Sequence, residues 1–235
     1  MANVAHASHH YTSTGLDSKK IAIWTFIGSE CMLFASLIST YLIYKGKSVV
    51  GPWPHEWWCA QGNRVAATAA ELANCPAGQL YKPILNIPIT SISTFVLLCS
   101  SLAMVLALAA VENKNRPLSP SAGAWEKALR SSKLWLWMTC IMGATFLGFQ
   151  AYEFTSFVHE GLSIRKNLFG SSFFTLTSFH GMHVFVGLLW ALRNLVKSQR
   201  GDFAGGRELG VEIFGLYWHF VDIVWIVLFT VIYLL

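Results

Sequence analysis

Residues 167–192 read NLFGSSFFTLTSFHGMHVFVGLLWAL, a run of 26 residues without a charged side chain between Lys166 and Arg193. A bilayer crossing needs about 20 mostly apolar residues, because the hydrocarbon core is about 30 Å thick. The stretch therefore predicts a transmembrane helix, and this helix carries two histidines, His180 and His183, near its middle.

The rest of the chain has the same character. Charged residues make up 12% of its 235 residues and hydrophobic residues 54%, whereas an ordinary soluble domain has about 25% charged residues. This composition excludes a soluble enzyme and a nucleic-acid-binding protein. It predicts an all-α polytopic membrane protein with an inner tail at residues 1–20 and one five-helix membrane domain at residues 21–235. The spans are predicted near residues 21–44, 84–111, 134–154, 171–196 and 211–235.

The basic residues predict the orientation of the bundle. With the N-terminus inside, the inner segments hold eleven Lys and Arg residues and the outer segments hold six. Because cytoplasmic loops carry an excess of Lys and Arg, we expect the N-terminus inside and the C-terminus outside. The net charge of +5 fits this bias and does not require an acidic partner.

The outer loop, residues 45–83, is the only sizeable segment predicted outside the membrane. It contains Cys59 and Cys75, and their spacing leaves two alternatives open: a disulfide in an oxidising compartment, or two unpaired thiols. The stretch between them, residues 63–74 (NRVAATAAELAN), predicts a short helix.

Ionisable side chains inside the spans are candidates for function. Each needs a partner, a cavity or a neutral protonation state, because a charge near mid-bilayer is costly. Glu30, in the first span, has no obvious partner nearby in the sequence, so a role in proton or ligand handling and a structural or lipid-facing role both stay open. The other polar candidates are Glu153, His180, His183, Trp218, His219 and Asp222. For these residues we predict a hydrogen-bonded polar network. The alternative is a proton path or a metal or haem site.

Small residues on the third and fourth helices predict surfaces that allow close helix approach. Ala144 and Gly148 on the third helix, and Thr177 and Gly181 on the fourth, have the small-xxx-small spacing that allows close packing.

Several kinds of active site have no motif in the sequence. It has no Gly-rich phosphate loop, no Cys-x-x-Cys and no closely spaced Cys and His set for copper or zinc. We therefore predict no catalytic residue and no metal site in this chain.

The polar spans also carry a resemblance to a known family. The segments concerned are residues 169–187 (FGSSFFTLTSFHGMHVFVG), 217–225 (YWHFVDIVW), 150–154 (QAYEF), the pair Ser29–Glu30 and, more weakly, Leu85–Asn86. Together they closely resemble subunit III of the haem-copper terminal oxidases, the cytochrome c oxidase subunit III family. The five predicted helices are similar to the bacterial form, since the mitochondrial form has seven.

The resemblance implies a non-redox subunit of a proton-pumping oxidase that reduces dioxygen to water in aerobic respiration, in a bacterial plasma membrane. Haem and copper would belong to the partner subunits, with oxidase subunit I as the main contact, and structural phospholipid would lie in a cleft. Glu30 occupies the position of a carboxylate for which roles in proton uptake and oxygen access have been proposed. The outer loop would suit docking of a cytochrome c domain, another subunit or a respiratory supercomplex.

Three alternatives remain beside a cytochrome c oxidase. A quinol oxidase subunit III and a homologous accessory subunit of a nitric oxide reductase share the family pattern. A stand-alone transporter would use Glu30 and Asp222 as carriers, but the five helices show no internal repeat, and paired repeats are common in transporters.

Overall fold

A computed structural model describes residues 17–47, 54, 58–59, 64–65, 74, 80–81, 84–112, 123, 126, 131–165, 167–200 and 209–235. The long helices in these ranges are α1 (Ser18–Tyr44), α2 (Ile87–Glu112), α3 (Ser132–His159), α4 (Leu168–Arg200) and α5 (Leu209–Phe229). The chain continues from α5 into a π-helical turn over Thr230–Leu234. Five helices are long and apolar enough to cross a membrane, which confirms the predicted all-α, five-helix fold.

Capping side chains start three of the helices outside their apolar stretches. The Asp17 carboxylate accepts a hydrogen bond from the Lys19 amide at 2.8 Å, and the Ser131 hydroxyl accepts one from Leu134. The Asn167 side chain accepts one from the Gly170 amide at 2.7 Å. Such caps satisfy the free amides of a helix N-terminus. The helices therefore extend beyond the predicted spans, because hydropathy marks only the part of a helix that lies in lipid.

Helix α5 occupies the centre of the bundle and α1 its edge. Helix α5 packs against α1, α2 and α4, and α3 lies against α2 and α4, whereas the main contacts of α1 are with α4 and α5. Lys20, at the start of α1, pairs with Glu212, at the start of α5, so these two helices run parallel. We call the side with the starts of α1, α3 and α5 the N-terminal side. The opposite side, which carries the outer-loop segment, is the loop side.

The outer loop contains a small antiparallel sheet in the order β2–β1–β3, formed by Trp58–Cys59 (β1), Arg64–Val65 (β2) and Leu80–Tyr81 (β3). Trp58 is aligned with Val65 on one side and Tyr81 on the other. The helix predicted over residues 63–74 is therefore wrong at Arg64–Val65, where pairing with β1 replaces it. Residues 66–73 and Cys75 lie outside the described residues, so the Cys59–Cys75 disulfide stays a prediction.

The small residues that admit close contacts differ partly from those predicted. Ala144 and Gly148 lie on the exposed surface of α3, so the prediction is wrong for that helix. Gly143 takes their place, because a Cβ atom there would lie 2.9 Å from the Trp218 ring. The prediction is confirmed at Gly181 on α4, where a Cβ atom would lie 2.7 Å from Oε1 of Gln150.

Candidate functional site

Glu30 and His183 form an ionisable pair between α1 and α4. His183 Nε2 lies 3.1 Å from Oε2 of Glu30, and both side chains are mostly buried, at 10% and 17% exposure. His183 Nδ1 lies 2.7 Å from the backbone oxygen of Phe179, one turn earlier on α4. Glu30, which lacked a partner in the sequence, therefore has one that is 153 residues away.

The contacts of this pair fix the number of protons it holds. A backbone carbonyl only accepts, so Nδ1 of His183 carries a hydrogen and donates to Phe179. The remaining contact, from Nε2 to Glu30, needs one more proton, which belongs either to an imidazolium or to a protonated carboxyl group. In both cases one proton lies between the two residues and the pair is neutral overall. Glu30 and His183 are thus suited to hold and transfer a single proton.

Neighbouring side chains hold the imidazole in place. The Phe34 ring lies edge-on to His183 with the ring centres 5.1 Å apart. The Tyr217 hydroxyl donates to the backbone oxygen of His183 at 3.0 Å. Phe34 and Tyr217 are almost fully buried, so residues from α1 and α5 fix the position of the pair.

A second buried carboxyl, Glu153 on α3, lies towards the loop side. The Thr90 hydroxyl on α2 is hydrogen-bonded to Oε1 of Glu153, and the Tyr233 hydroxyl lies 3.5 Å from Oε2. Tyr233 belongs to the π-helical turn after α5. None of the basic side chains in the described ranges forms an ion pair with Glu153. This carboxyl group is thus held by hydroxyl groups from two other helices.

Helix α5 is connected to α2 by three further hydrogen bonds. The indole of Trp218 donates to the Ser100 hydroxyl at 3.0 Å, and the indole of Trp225 donates to Thr94 at 2.9 Å. Nδ1 of His219 lies 2.5 Å from the Ser101 hydroxyl. Asp222 is buried beside Ser101, and its Oδ1 has no hydrogen-bond partner. Three polar side chains of α5 are therefore paired with hydroxyl groups of α2.

His180 lies in an aromatic environment. Its ring is fully buried, stacks on Trp225 at 4.9 Å and meets the Phe146 ring edge-on at 6.0 Å. Neither ring nitrogen has a hydrogen-bond partner. The two histidines of α4 thus differ: His183 has a carboxyl partner, while His180 is a packing residue among aromatic rings.

The hydrogen bonds do not connect the six predicted polar residues to one another. Each of Glu153, His183, Trp218 and His219 bonds to a residue outside the set. The sequence reasoning missed the hydroxyl partners on α2. Their signal was available, since Thr90, Thr94 and Ser101 recur at helical spacing inside a span.

The described part of the chain contains no group of three or more His, Cys, Asp and Glu residues that could hold a metal ion.

Comparison with known proteins decides the family. The family model described as "Cytochrome c oxidase subunit III" matches residues 57–235. The chain belongs to the cytochrome c oxidase subunit III family. A cytochrome c oxidase subunit 3 from Bacillus sp. (strain PS3) is 33% identical over 93% of this chain and 86% of its own length. One from Synechocystis sp. is 34% identical over 98% of this chain and 80% of its own length.

Relatives of a second type have similar identity. A cytochrome bo(3) ubiquinol oxidase subunit 3 from Pseudomonas aeruginosa is 31% identical over 99% of this chain and 91% of its own length. The subunit III family thus includes proteins named for both electron donors. As a member of this family, the chain is a multi-pass membrane subunit of a haem-copper terminal oxidase and associates with other oxidase subunits.

Proposed function

We propose that the chain is the non-redox subunit III of a proton-pumping oxidase of the cytochrome c type, which reduces dioxygen to water in aerobic respiration. The match of residues 57–235 to the family model carries this proposal. Oxidase subunit I is the main contact, and the haem and copper centres belong to the partner subunits. In this role the chain stabilises the catalytic subunit.

A quinol oxidase is the second candidate, because the Pseudomonas aeruginosa relative named for a quinol donor matches this chain with identity and coverage similar to those of the cytochrome c oxidase relatives. The two candidates differ in the electron donor of the complex. Oxygen consumption with reduced cytochrome c and with a reduced quinol distinguishes them.

The role proposed for the Glu30–His183 pair is to support proton uptake by the catalytic subunit. The pair holds one proton in a mostly buried position, as its donor count requires. Glu30 of this pair lies on α1, the helix at the edge of the bundle, so a neighbouring subunit can approach the pair from that side.

The proposed location is a bacterial plasma membrane, with the N-terminal side facing the cytoplasm. The excess of Lys and Arg in the segments of that side supports this orientation. The bacterial relatives support the location.

Structural phospholipid is proposed on the exposed surface of the bundle. An open, mostly apolar groove of about 510 Å³ lies between α2 and α3 and is lined by Ile89, Thr145, Gly148, Phe149 and Tyr152. Its lining suits an acyl chain, because it offers apolar surface and only the hydroxyl groups of Thr145 and Tyr152. Mass spectrometry of lipids retained by the purified complex, with and without Gly148→Phe, tests this assignment.

The first experiment purifies the complex through a tag at the N-terminus and records a reduced-minus-oxidised optical spectrum, metal content and oxygen consumption. Haem and copper that co-purify with oxygen consumption are the expected result. Haem with non-haem iron and no copper would instead indicate a nitric oxide reductase. A chain that purifies without any chromophore would revive the stand-alone transporter.

The second experiment tests Glu30→Gln in the purified oxidase. The variant keeps the shape of the side chain but cannot exchange a proton, so we expect normal assembly with slower proton uptake at high pH or a shorter active lifetime. Glu112→Gln is the matched control, because Glu112 is exposed at the end of α2. Unchanged turnover, inactivation rate and proton stoichiometry in Glu30→Gln would contradict the role of this pair.

A further inference from the structure

The Glu153 site has too few protons to explain its contacts if the carboxyl group is ionised. The Thr90 hydroxyl lies 3.0 Å from the backbone oxygen of Asn86 and is also hydrogen-bonded to Oε1 of Glu153. A hydroxyl group has one proton to donate, and a backbone carbonyl only accepts. Both contacts are hydrogen bonds only if one of them uses a proton from Glu153.

The second carboxyl oxygen completes this pattern. The Tyr233 hydroxyl donates to Oε2 at 3.5 Å, a contact that the carbonyl oxygen of a neutral acid also accepts. Oε1, the oxygen next to Thr90, is then the one that carries the proton. Each polar atom in the group has a donor or an acceptor in this arrangement, including the carbonyl of Asn86 in front of α2.

None of the described basic residues forms an ion pair with Glu153. Glu153 is 6% exposed and Tyr233 2%. The titratable group that faces Glu153 from the π-helical turn after α5 is Tyr233, and Tyr41 on α1 lies near that tyrosine. Helix α4 presents Phe173 and Phe174, whose rings contact Phe154, the residue after Glu153. An ionised carboxyl group here would have no counter-charge from the described part of the chain, and a buried charge without one is strongly disfavoured.

We propose that Glu153 is a proton-binding site, in which the neutral carboxylic acid donates to Thr90 and Thr90 in turn donates to the backbone oxygen of Asn86. The site is separate from the Glu30–His183 pair and lies nearer the loop side. It differs from that pair in having hydroxyl partners only. The proposal rests on contacts within this chain and is independent of the electron donor of the oxidase.

Infrared spectroscopy of the complete purified complex tests the proposal. Two samples are compared at about pH 7, one with the native Glu153 and one with Glu153→Gln. The first spectrum minus the second is expected to contain a protonated-carboxyl carbonyl band that shifts in D2O. Both samples also carry Glu30→Gln, so the Glu30–His183 pair makes no contribution, and the buried Asp222 carboxyl, which is present in both, cancels in the difference. Loss of ionised-carboxylate bands, with no protonated band, would overturn the proposal.

Two controls make the result specific to Glu153. Glu112→Gln, at the exposed end of α2, should change only ionised-carboxylate bands. Thr90→Val removes the acceptor of the acid proton and should move the carbonyl band to higher frequency, whereas Thr90→Ser should leave it in place. A band unmoved by Thr90→Val would overturn the proposed bond direction. The Thr90 variants also provide the test if Glu153→Gln does not assemble.

Discussion

Helices α1 and α5 run parallel through the same bundle, yet their environments differ. In the apolar stretch of α1, 11% of the residues are buried, against 56% in α5. Five α1 hydroxyl groups, those of Thr25, Ser29, Ser36, Ser39 and Thr40, donate to the backbone of their own helix. Three hydroxyl groups of α2, in contrast, form hydrogen bonds with indole and imidazole side chains of α5. Hydroxyl groups therefore connect helices in the core but not at the edge.

The difference shows how one residue type serves two purposes in a membrane. Ser100 donates to the backbone of α2 at 2.6 Å and accepts from Trp218 at the same time. Ser36 only donates to the backbone of its own helix. Burial against a polar partner, and not the presence of a hydroxyl group, decides whether the residue contributes to the fold.

The largest effect is expected from filling the space beside Trp218. A Cβ atom at Gly187 would lie 2.9 Å from the Trp218 ring, so Gly187→Ala should destabilise the subunit by about 1–3 kcal/mol through overpacking. On α1, Gly28 has no atom within 4 Å of its Cβ position, and Gly28→Ala should stabilise the helix slightly or not at all. Thermal unfolding of the purified complex measures both, and equal effects would contradict the comparison.

A loss of stability of similar or smaller size is expected when the buried indole of Trp218 is removed. Trp218→Phe leaves the Ser100 hydroxyl without its donor and opens a cavity in the core, at a cost of about 1–3 kcal/mol. Trp24 on α1 is 60% exposed, so Trp24→Phe should change stability by less than about 0.5 kcal/mol. Retention of the subunit during detergent titration measures the difference. A more disruptive Trp24 variant would show that α1 is covered in the assembled complex.

A smaller effect is expected for one of the hydrogen bonds between α2 and α5, that from Trp218 to Ser100. A double-mutant cycle of Trp218→Phe and Ser100→Ala should give a coupling energy of about 0.6 kcal/mol, the average for hydrogen bonds between membrane helices. The matched cycle of Trp24→Phe and Ser36→Ala should give a coupling energy near zero. Denaturant unfolding of the four variants in each cycle supplies the values, and a coupling in α1 as large as that in α5 would contradict the distinction.

The smallest effect concerns the ion pair that joins α1 to α5. Lys20 Nζ lies 2.7 Å from Glu212 Oε1, and both side chains are more than one-third exposed. Lys20→Ala should cost about 0.2–0.5 kcal/mol, since solvent and salt screen such pairs. Lys19→Ala is the control on the same turn. The difference in stability between the two variants, measured by thermal melts, should disappear at high salt. A difference that persists there would indicate a buried contact.

The fold followed from the sequence because long apolar stretches are unambiguous in a bilayer. The helix ends could not be predicted in the same way, since α4 continues through charged residues to Arg200, beyond the limit that hydropathy sets. The Arg64–Val65 strand was missed because its pairing with β1 depends on segments outside the predicted helix.

The candidate site was only partly predictable for a similar reason. The sequence placed His180 and His183 near the middle of one span, but it did not reveal that Glu30 bonds to one and not to the other. Choosing between them requires the packing of α1 against α4. Gly143 was missed in the same way, because the partner that defines its role, Trp218, lies two helices further along the chain.

The back-bonded hydroxyl groups of α1 also have a mechanical consequence. Side chains that donate to the carbonyl one turn earlier compete with the helical ladder, and they weaken and bend a helix. Helix α1 carries five such residues and is the least buried of the five helices, so packing within the bundle restrains its bending least. A compliant edge can follow the contour of an adjoining subunit while the stiff centre around α5 keeps its shape.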